Sequence, residues 1–192
     1  LMAAASPNPP GDVTAAAGVV TAYLDAHGIG YRRTQPVSGW WNITSTIEGN
    51  GPGPRMMFSG HLDTFPLLPG QRSGTSGDPK RVYGRGAVDM KGGVAALLSA
   101  FAALNATRRH WPGTIGLCIV CDEETFGPHG ARSLEQTWPG FAADAVLSGE
   151  PSGRGVIRYG ERGFVWGSAT FPGDPGHAAY ASPSNNAIVR AG

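Results

Sequence analysis

Three apolar runs in this 192-residue sequence end in side chains that bind metals or move protons. Met56-Met57-Phe58-Ser59-Gly60 leads into His61-Leu62-Asp63, residues 114–121 lead into Asp122-Glu123-Glu124, and residues 144–148 lead into Gly149-Glu150-Pro151. Neutral imidazole binds divalent cations, and a carboxylate two residues on can orient it. Three consecutive carboxylates repel one another unless a cation gathers them. Asp89 stands apart, set in the turn Gly84-Arg85-Gly86-Ala87-Val88-Asp89-Met90-Lys91-Gly92-Gly93. One histidine with several carboxylates suits zinc or a similar cation better than copper or an iron–sulfur cluster. One cation does not need so many carboxylates. Two ions about 3.5–4 Å apart, sharing a carboxylate and a water, would use them. Asp89 is the natural bridge, His61 and Glu150 can hold one ion, and Glu124 the other. Glu123 is then left as a general base that takes the water's proton and passes it to a leaving group. Asp63 stands behind His61 and fixes its ring. This is the chemistry of amide hydrolysis.

These residues need a scaffold that brings strand ends together. In open α/β sheets, functional groups gather at the C-terminal ends of strands. The expected class is therefore α/β, a mostly parallel or mixed sheet flanked by helices. Asp12 can cap a helix in which Val13, Ala16, Val20, Tyr23 and Leu24 share a face, with Gly28 as its stop. Strands are expected at residues 29–34, 40–47, 55–59, 114–121 and 144–148. A helix at 91–104 buries Val94, Leu97, Leu98 and Phe101. A short helix is expected near 129–136, with His129 at the surface. Beyond residue 155 the pattern changes. Residues 163–171, with Phe164, Trp166 and Ala169, have strand character, and Ser182-Pro183 has the form of a helix start. The expected division is a catalytic part over 1–157 and the beginning of a second domain over 158–192.

Composition narrows the functions. Hydrophobic residues make up 41%, enough for a packed core, and the net charge is only +1. No basic run interleaves with aromatics, so nucleic acid is excluded as a partner. No apolar run approaches the roughly 20 residues of a membrane span. Gly84-x-Gly86 is not followed by a third glycine, since Asp89 occupies that place, and no phosphate loop is present. Cys118 and Cys121 lie three apart on an expected strand and face opposite ways, so they read as core residues rather than a metal clamp. The lack of a disulfide framework fits a reducing compartment, and the cytoplasm is the expected location. The first residue is Leu1, not Met, so the N-terminus reads as trimmed.

His61-x-Asp63, Gly84-x-Gly86-x-x-Asp89-Met90-Lys91-Gly92-Gly93, Asp122-Glu123-Glu124 and Glu150-Pro151 together resemble the dizinc metallopeptidase family. That family includes acetylornithine deacetylase, succinyl-diaminopimelate desuccinylase, aminoacylase and the glutamate carboxypeptidases. The opening Ser6-Pro7-Asn8-Pro9-Pro10-Gly11-Asp12 is also similar. The resemblance implies Asp89 as metal bridge, Glu123 as general base, and His61, Glu124 and Glu150 as terminal ligands. It implies two divalent ions, zinc first and cobalt also suited, and an N-acyl amino acid or small peptide as substrate. It implies that residues after about 160 begin a lid through which two subunits pair. His177, followed by Pro183 and Asn186-Ala187-Ile188, matches a lid histidine that reaches the partner subunit's site and stabilises the tetrahedral oxyanion. Two departures stand out. The loop between Asp63 and Asp89 is short, and no residue matches the family's last metal ligand, a histidine near the end of the catalytic domain. The sequence thus reads as the N-terminal part of a hydrolase. The alternative is a catalytically inactive truncated relative that acts as a binding protein or has no function.

Overall fold

The structure, a computed structural model, describes every residue except 72–80, 161, 164, 178 and 181. Two compact units are present, Leu1–Gly153 and Arg154–Gly192.

The first unit is built on a mixed five-stranded sheet. Its strands are β1 (Arg32–Val37), β2 (Trp40–Glu48), β3 (Arg55–His61), β4 (Thr114–Val120) and β5 (Ala145–Ser148), in spatial order β1-β2-β4-β3-β5. β1 and β2 form an antiparallel hairpin, and β2 runs antiparallel to β4. β4, β3 and β5 are parallel, with His61 level with Val120 and Ser59 level with Ser148. Parallel register is what delivers three strand ends to one rim.

β1 begins three residues later than the expected 29–34 and continues through Pro36. A proline has no N–H for a ladder, and the outer position of β1 tolerates it, with a register shift between Thr34 and Val37.

Helices α1 (Thr14–Ala26) and α2 (Lys91–Ala106) pack against this sheet and each other. Asp12 Oδ1 accepts the Thr14 amide at 2.8 Å, and Gly28 leaves α1 in the left-handed region at φ 62°. The core joins Val20 and Leu24 of α1, Val94, Leu98 and Phe101 of α2, and Ile115, Leu117 and Ile119 of β4. Burying each such side chain contributes about 1.5–3 kcal/mol. The alternate face of β4 carries Cys118, whose Sγ lies 3.3 Å from Met57 Sδ. Cys121, just beyond the strand, joins the core. Both cysteines are free and buried. On this second face, Phe141 packs over Gly116 and stacks on Trp138 with centroids 4.4 Å apart, below α3 (Leu134–Thr137). His129 is half-buried, its ring edge-on to Trp40.

The second unit differs from expectation. Residues 165–171 form no strand, and Phe164 lies outside the described residues. A strand needs a neighbour to take its backbone hydrogen bonds. No such ladder exists among the described residues of this unit. Its regular elements are a 3-10 turn at Pro183–Asn185 and α4 (Ala187–Ala191). The cap of α4 is Asn186, whose Oδ1 accepts from Ile188 and Val189, whereas Ser182-Pro183 opens the 3-10 turn. Arg190 ties the unit together by donating to Ser184 O at 2.9 Å and Pro172 O at 3.0 Å.

Candidate metal centre

Each candidate ligand sits where a parallel strand or a helix start leaves it. His61 is the last residue of β3, Glu123 and Glu124 follow β4, Glu150 follows β5, and Asp89 precedes α2. Close backbone packing brings these ends together. A Cβ on Gly60 would meet Met90 Cε at 2.9 Å, and one on Gly93 would strike the carbonyl of Gly149. The two glycines let α2 lie directly on the ends of β3 and β5. Gly86, at φ 82°, turns the Asp89 loop against Thr64. The Asp89–Met90 peptide is cis.

His61 is 1% exposed and its two ring nitrogens face different partners. Nδ1 lies 2.9 Å from the Asp63 carbonyl and 3.5 Å from the Asp63 carboxylate. The carbonyl is the nearer acceptor, and it can only accept, so Nδ1 carries the proton. Nε2 faces three carboxylate oxygens: Glu150 Oε1 at 3.1 Å, Asp89 Oδ1 at 3.3 Å and Glu123 Oε2 at 3.5 Å. Despite these short distances Nε2 is buried and makes no aligned hydrogen bond. Among the described residues, His61, Asp89 and Glu124 bring ligand atoms within 4.8 Å of one another, and so do His61, Glu123 and Glu150.

The electrostatics ask for positive charge at this point. Desolvation holds the His61 pKa down, but the close carboxylates of Asp63, Glu150 and Glu123 outweigh it and push it up to about 11. Desolvation, with the charge of Asp89 and Glu123, pushes Glu124 up to about 7. Glu123 and Asp89 are also raised, first by desolvation and then by neighbouring carboxylates, with Glu150 foremost. Crowded carboxylates around one imidazole repel one another, and divalent cations satisfy them together. The donor set, one imidazole nitrogen and carboxylate oxygens at separations a small ion can span, fits zinc or a similar ion.

Asp63 is fully buried and its pKa is lowered. Desolvation opposes the shift, but hydrogen bonds from His61, Asn8 and the amides of Glu124 and Glu123 prevail. Its Oδ1 accepts the Glu123 amide at 3.2 Å and its Oδ2 the Glu124 amide at 3.1 Å. Asp63 therefore shapes the turn that presents both glutamates as well as contacting His61.

Asp122 stands outside the cluster, although it adjoins the two glutamates in sequence. At φ 59° it turns inward and accepts from Thr125 Oγ1 at 2.6 Å and from the His129 amide at 3.1 Å. One member of the carboxylate triplet is thus held by local donors and needs no cation. His177 lies in the second unit, exposed, with its Nδ1 accepting the Ala179 amide at 3.2 Å and its ring 5.7 Å from that of Tyr180. Asn8, Lys91 and Met90 also surround the site. The Met90 sulfur accepts the His61 amide at 3.2 Å, Asn8 donates to the Asp63 carboxylate, and Lys91 donates to the Ala4 carbonyl. In the sequence, a run of loop-forming residues around Asn8 and the family likeness of Ser6–Asp12 marked that position, with no sign of its contact to Asp63.

Comparison with known proteins places the chain in a family. The succinyl-diaminopimelate desuccinylase of Gluconacetobacter diazotrophicus is 34% identical over 202 residues, covering 91% of this chain and 48% of that protein. The chain spans about half the length of this curated relative. The fold is similar to that of the M20 family metallo-carboxypeptidase Sso-CP2 of Sulfolobus solfataricus, with TM-score 0.64 and 20% identity, covering 77% of this chain and 35% of that one. It is also similar to that of the Bacillus subtilis YXEP protein, described as a dinuclear metal binding peptidase, with TM-score 0.51 and 19% identity, covering 68% of this chain and 35% of that one. The sequence profile of peptidase family M20/M25/M40 matches residues 57–187, a span that takes in His61, Asp89, Glu123, Glu124 and Glu150. With more than half of the chain matched and the sheet of the same kind, the chain belongs to peptidase family M20/M25/M40.

Proposed function

We propose that this chain carries the metal-binding core of a hydrolase that cleaves the amide bond of an N-acyl amino acid or small peptide. One observation carries the reading: the buried, unbonded Nε2 of His61 faces three carboxylate oxygens at 3.1–3.5 Å. The relatives' descriptions, a desuccinylase, a metallo-carboxypeptidase and a dinuclear metal binding peptidase, support the reaction class.

In this reading His61 and Glu150 would hold one ion, Glu124 would hold a second, and Asp89 would serve both. Divalent ions at such a site supply Lewis acidity and a water acidic enough to attack near neutral pH. Glu123 accepts the proton of the attacking water on its carboxylate and delivers it to the nitrogen of the breaking C–N bond. Asp63 keeps the proton of His61 on Nδ1 and holds the Glu123–Glu124 turn. Residues 158–192 begin the lid, through which two subunits pair. His177 accepts on Nδ1, which leaves its proton on Nε2 as a donor suited to a developing oxyanion in the partner's site.

A panel of N-succinyl and N-acetyl amino acids and dipeptides, assayed for amine release with Zn2+ or Co2+, tests the reaction. Metal-dependent release that a chelator abolishes is the expected result. Metal uptake without release from any substrate would instead mark the chain as a metal-binding relative without turnover.

A further inference from the structure

Asn8 reaches both loops that carry the glutamate and histidine ligands. It is 3% exposed. Its Nδ2 donates to Asp63 Oδ2 at 2.9 Å and lies 3.3 Å from Thr125 Oγ1 and 3.5 Å from Asp122 Oδ1. An ionised carboxylate only accepts, so the amide nitrogen and not the amide oxygen must face Asp63 and Asp122. One N–H goes to Asp63, and the other is shared between Thr125 and Asp122. Asp63 follows β3, whereas Asp122 and Thr125 follow β4, so a single amide spans the two strand ends.

The main chain around Asn8 is anchored on two sides. Its amide donates to Thr64 O at 2.8 Å, the Thr64 amide donates to Ser6 O at 2.9 Å, and Ser6 Oγ donates to Leu62 O at 2.6 Å. Lys91, the buried first residue of α2, donates from Nζ to Ala4 O at 2.5 Å. The segment thus lies along the His61–Asp63 turn while tied to the helix that follows Asp89.

The Asp63 carboxylate has no oxygen to spare. Oδ1 takes the Glu123 amide, and Oδ2 takes the Glu124 amide together with Asn8. Rotating it would release a glutamate amide. We propose that Asn8 is a positioning residue of the metal centre: its buried amide fixes the rotation of the Asp63 carboxylate, and through it the backbone that presents Glu123 and Glu124. The assignment rests on the metal-centre reading above. Asn8 acts through Asp63 and reaches no ligand atom of the cluster itself.

The test is a Co2+ titration of the wild-type chain, Asn8→Ala and Asn8→Asp, read by visible d–d absorption, beside thermal unfolding of each without metal. Losing a group that directly orients a ligand costs about 10–100-fold in metal affinity. Asn8 stands one contact further out, so both variants should bind Co2+ more weakly by up to about 10-fold, with an altered band, at temperatures where they are folded. A variant that melts lower yet keeps wild-type affinity and band overturns the assignment, because the side chain then serves stability alone. If Asn8→Ala does not fold, Asn8→Asp, which keeps the volume, decides. Failure of both to fold also overturns the assignment. A wild-type chain with no Co2+ band sinks the metal-centre reading, and that result is seen without any variant.

Discussion

His61 divides two tasks between two nitrogens. Nδ1 is committed to the Asp63 carbonyl, and this leaves Nε2 as the one face open to the carboxylates. Glu123 shares that face and is the proton acceptor in the proposed reaction. Glu123→Ala should lower kcat by about 10²–10⁴-fold while metal content stays near that of wild type. Measuring kcat and bound zinc on the same sample checks this, and activity retained in the variant removes Glu123 as base. The cysteines give a separate test of burial. Desolvation raises the Cys118 thiol, and desolvation with the charges of Asp63 and Asp122 pushes Cys121 up to about 12. Thiolate is the reactive form and appears only as pH approaches the pKa. Neither thiol should therefore react with iodoacetamide at pH 8 in the folded chain, and both should react in guanidinium. Labelling by mass spectrometry reads the difference. At this scale, residue type made much of the site legible. A histidine and isolated acids after apolar runs stand out, whereas Asn8 does not, because an asparagine among prolines reads as a turn former. Asp122 shows the opposite limit: its type matched a metal ligand, but its backbone turns it toward Thr125 and His129.

The elements that position these residues were legible where periodicity and burial agree. β3, β4 and α2 lie close to where their apolar spacing places them, since each buries side chains in the core around Phe101 and Leu117. β1 was displaced because its exposed residues carry no hydrophobic alternation. The strand expected at 163–171 does not form over 165–171 for a different reason: strand-forming side chains do not make a strand without a partner ladder. The contact of α2 with the Gly149 turn was invisible in the sequence, yet it sets where Glu150 stands. Gly93→Ala would drive a methyl group into the Gly149 carbonyl. Overpacking of this kind costs about 1–3 kcal/mol. The variant should melt lower than wild type and bind zinc less tightly, as followed by calorimetry. Unchanged melting and affinity would show that the helix does not set the Glu150 turn.

For the molecule as a whole, the net charge of +1 conceals a strongly acidic site, with Asp63, Asp89, Glu123, Glu124 and Glu150 gathered at one rim of the sheet. Among the described residues no helix is long and apolar enough to cross a membrane. Binding of cations to the folded state alone should stabilise the chain by mass action. Zinc at a hundredfold excess over its Kd adds about 2.7 kcal/mol, which raises Tm by roughly 5–10 °C. Differential scanning fluorimetry with zinc, then with chelator, should show the rise and its reversal. The central claim is that His61 and the surrounding carboxylates form a metal centre, and elemental analysis of the desalted, zinc-equilibrated chain tests it most directly. The account predicts about two zinc ions per chain and the loss of at least one of them in His61→Ala. A wild-type chain that retains no zinc, or a His61→Ala chain that retains as much as wild type, would contradict it.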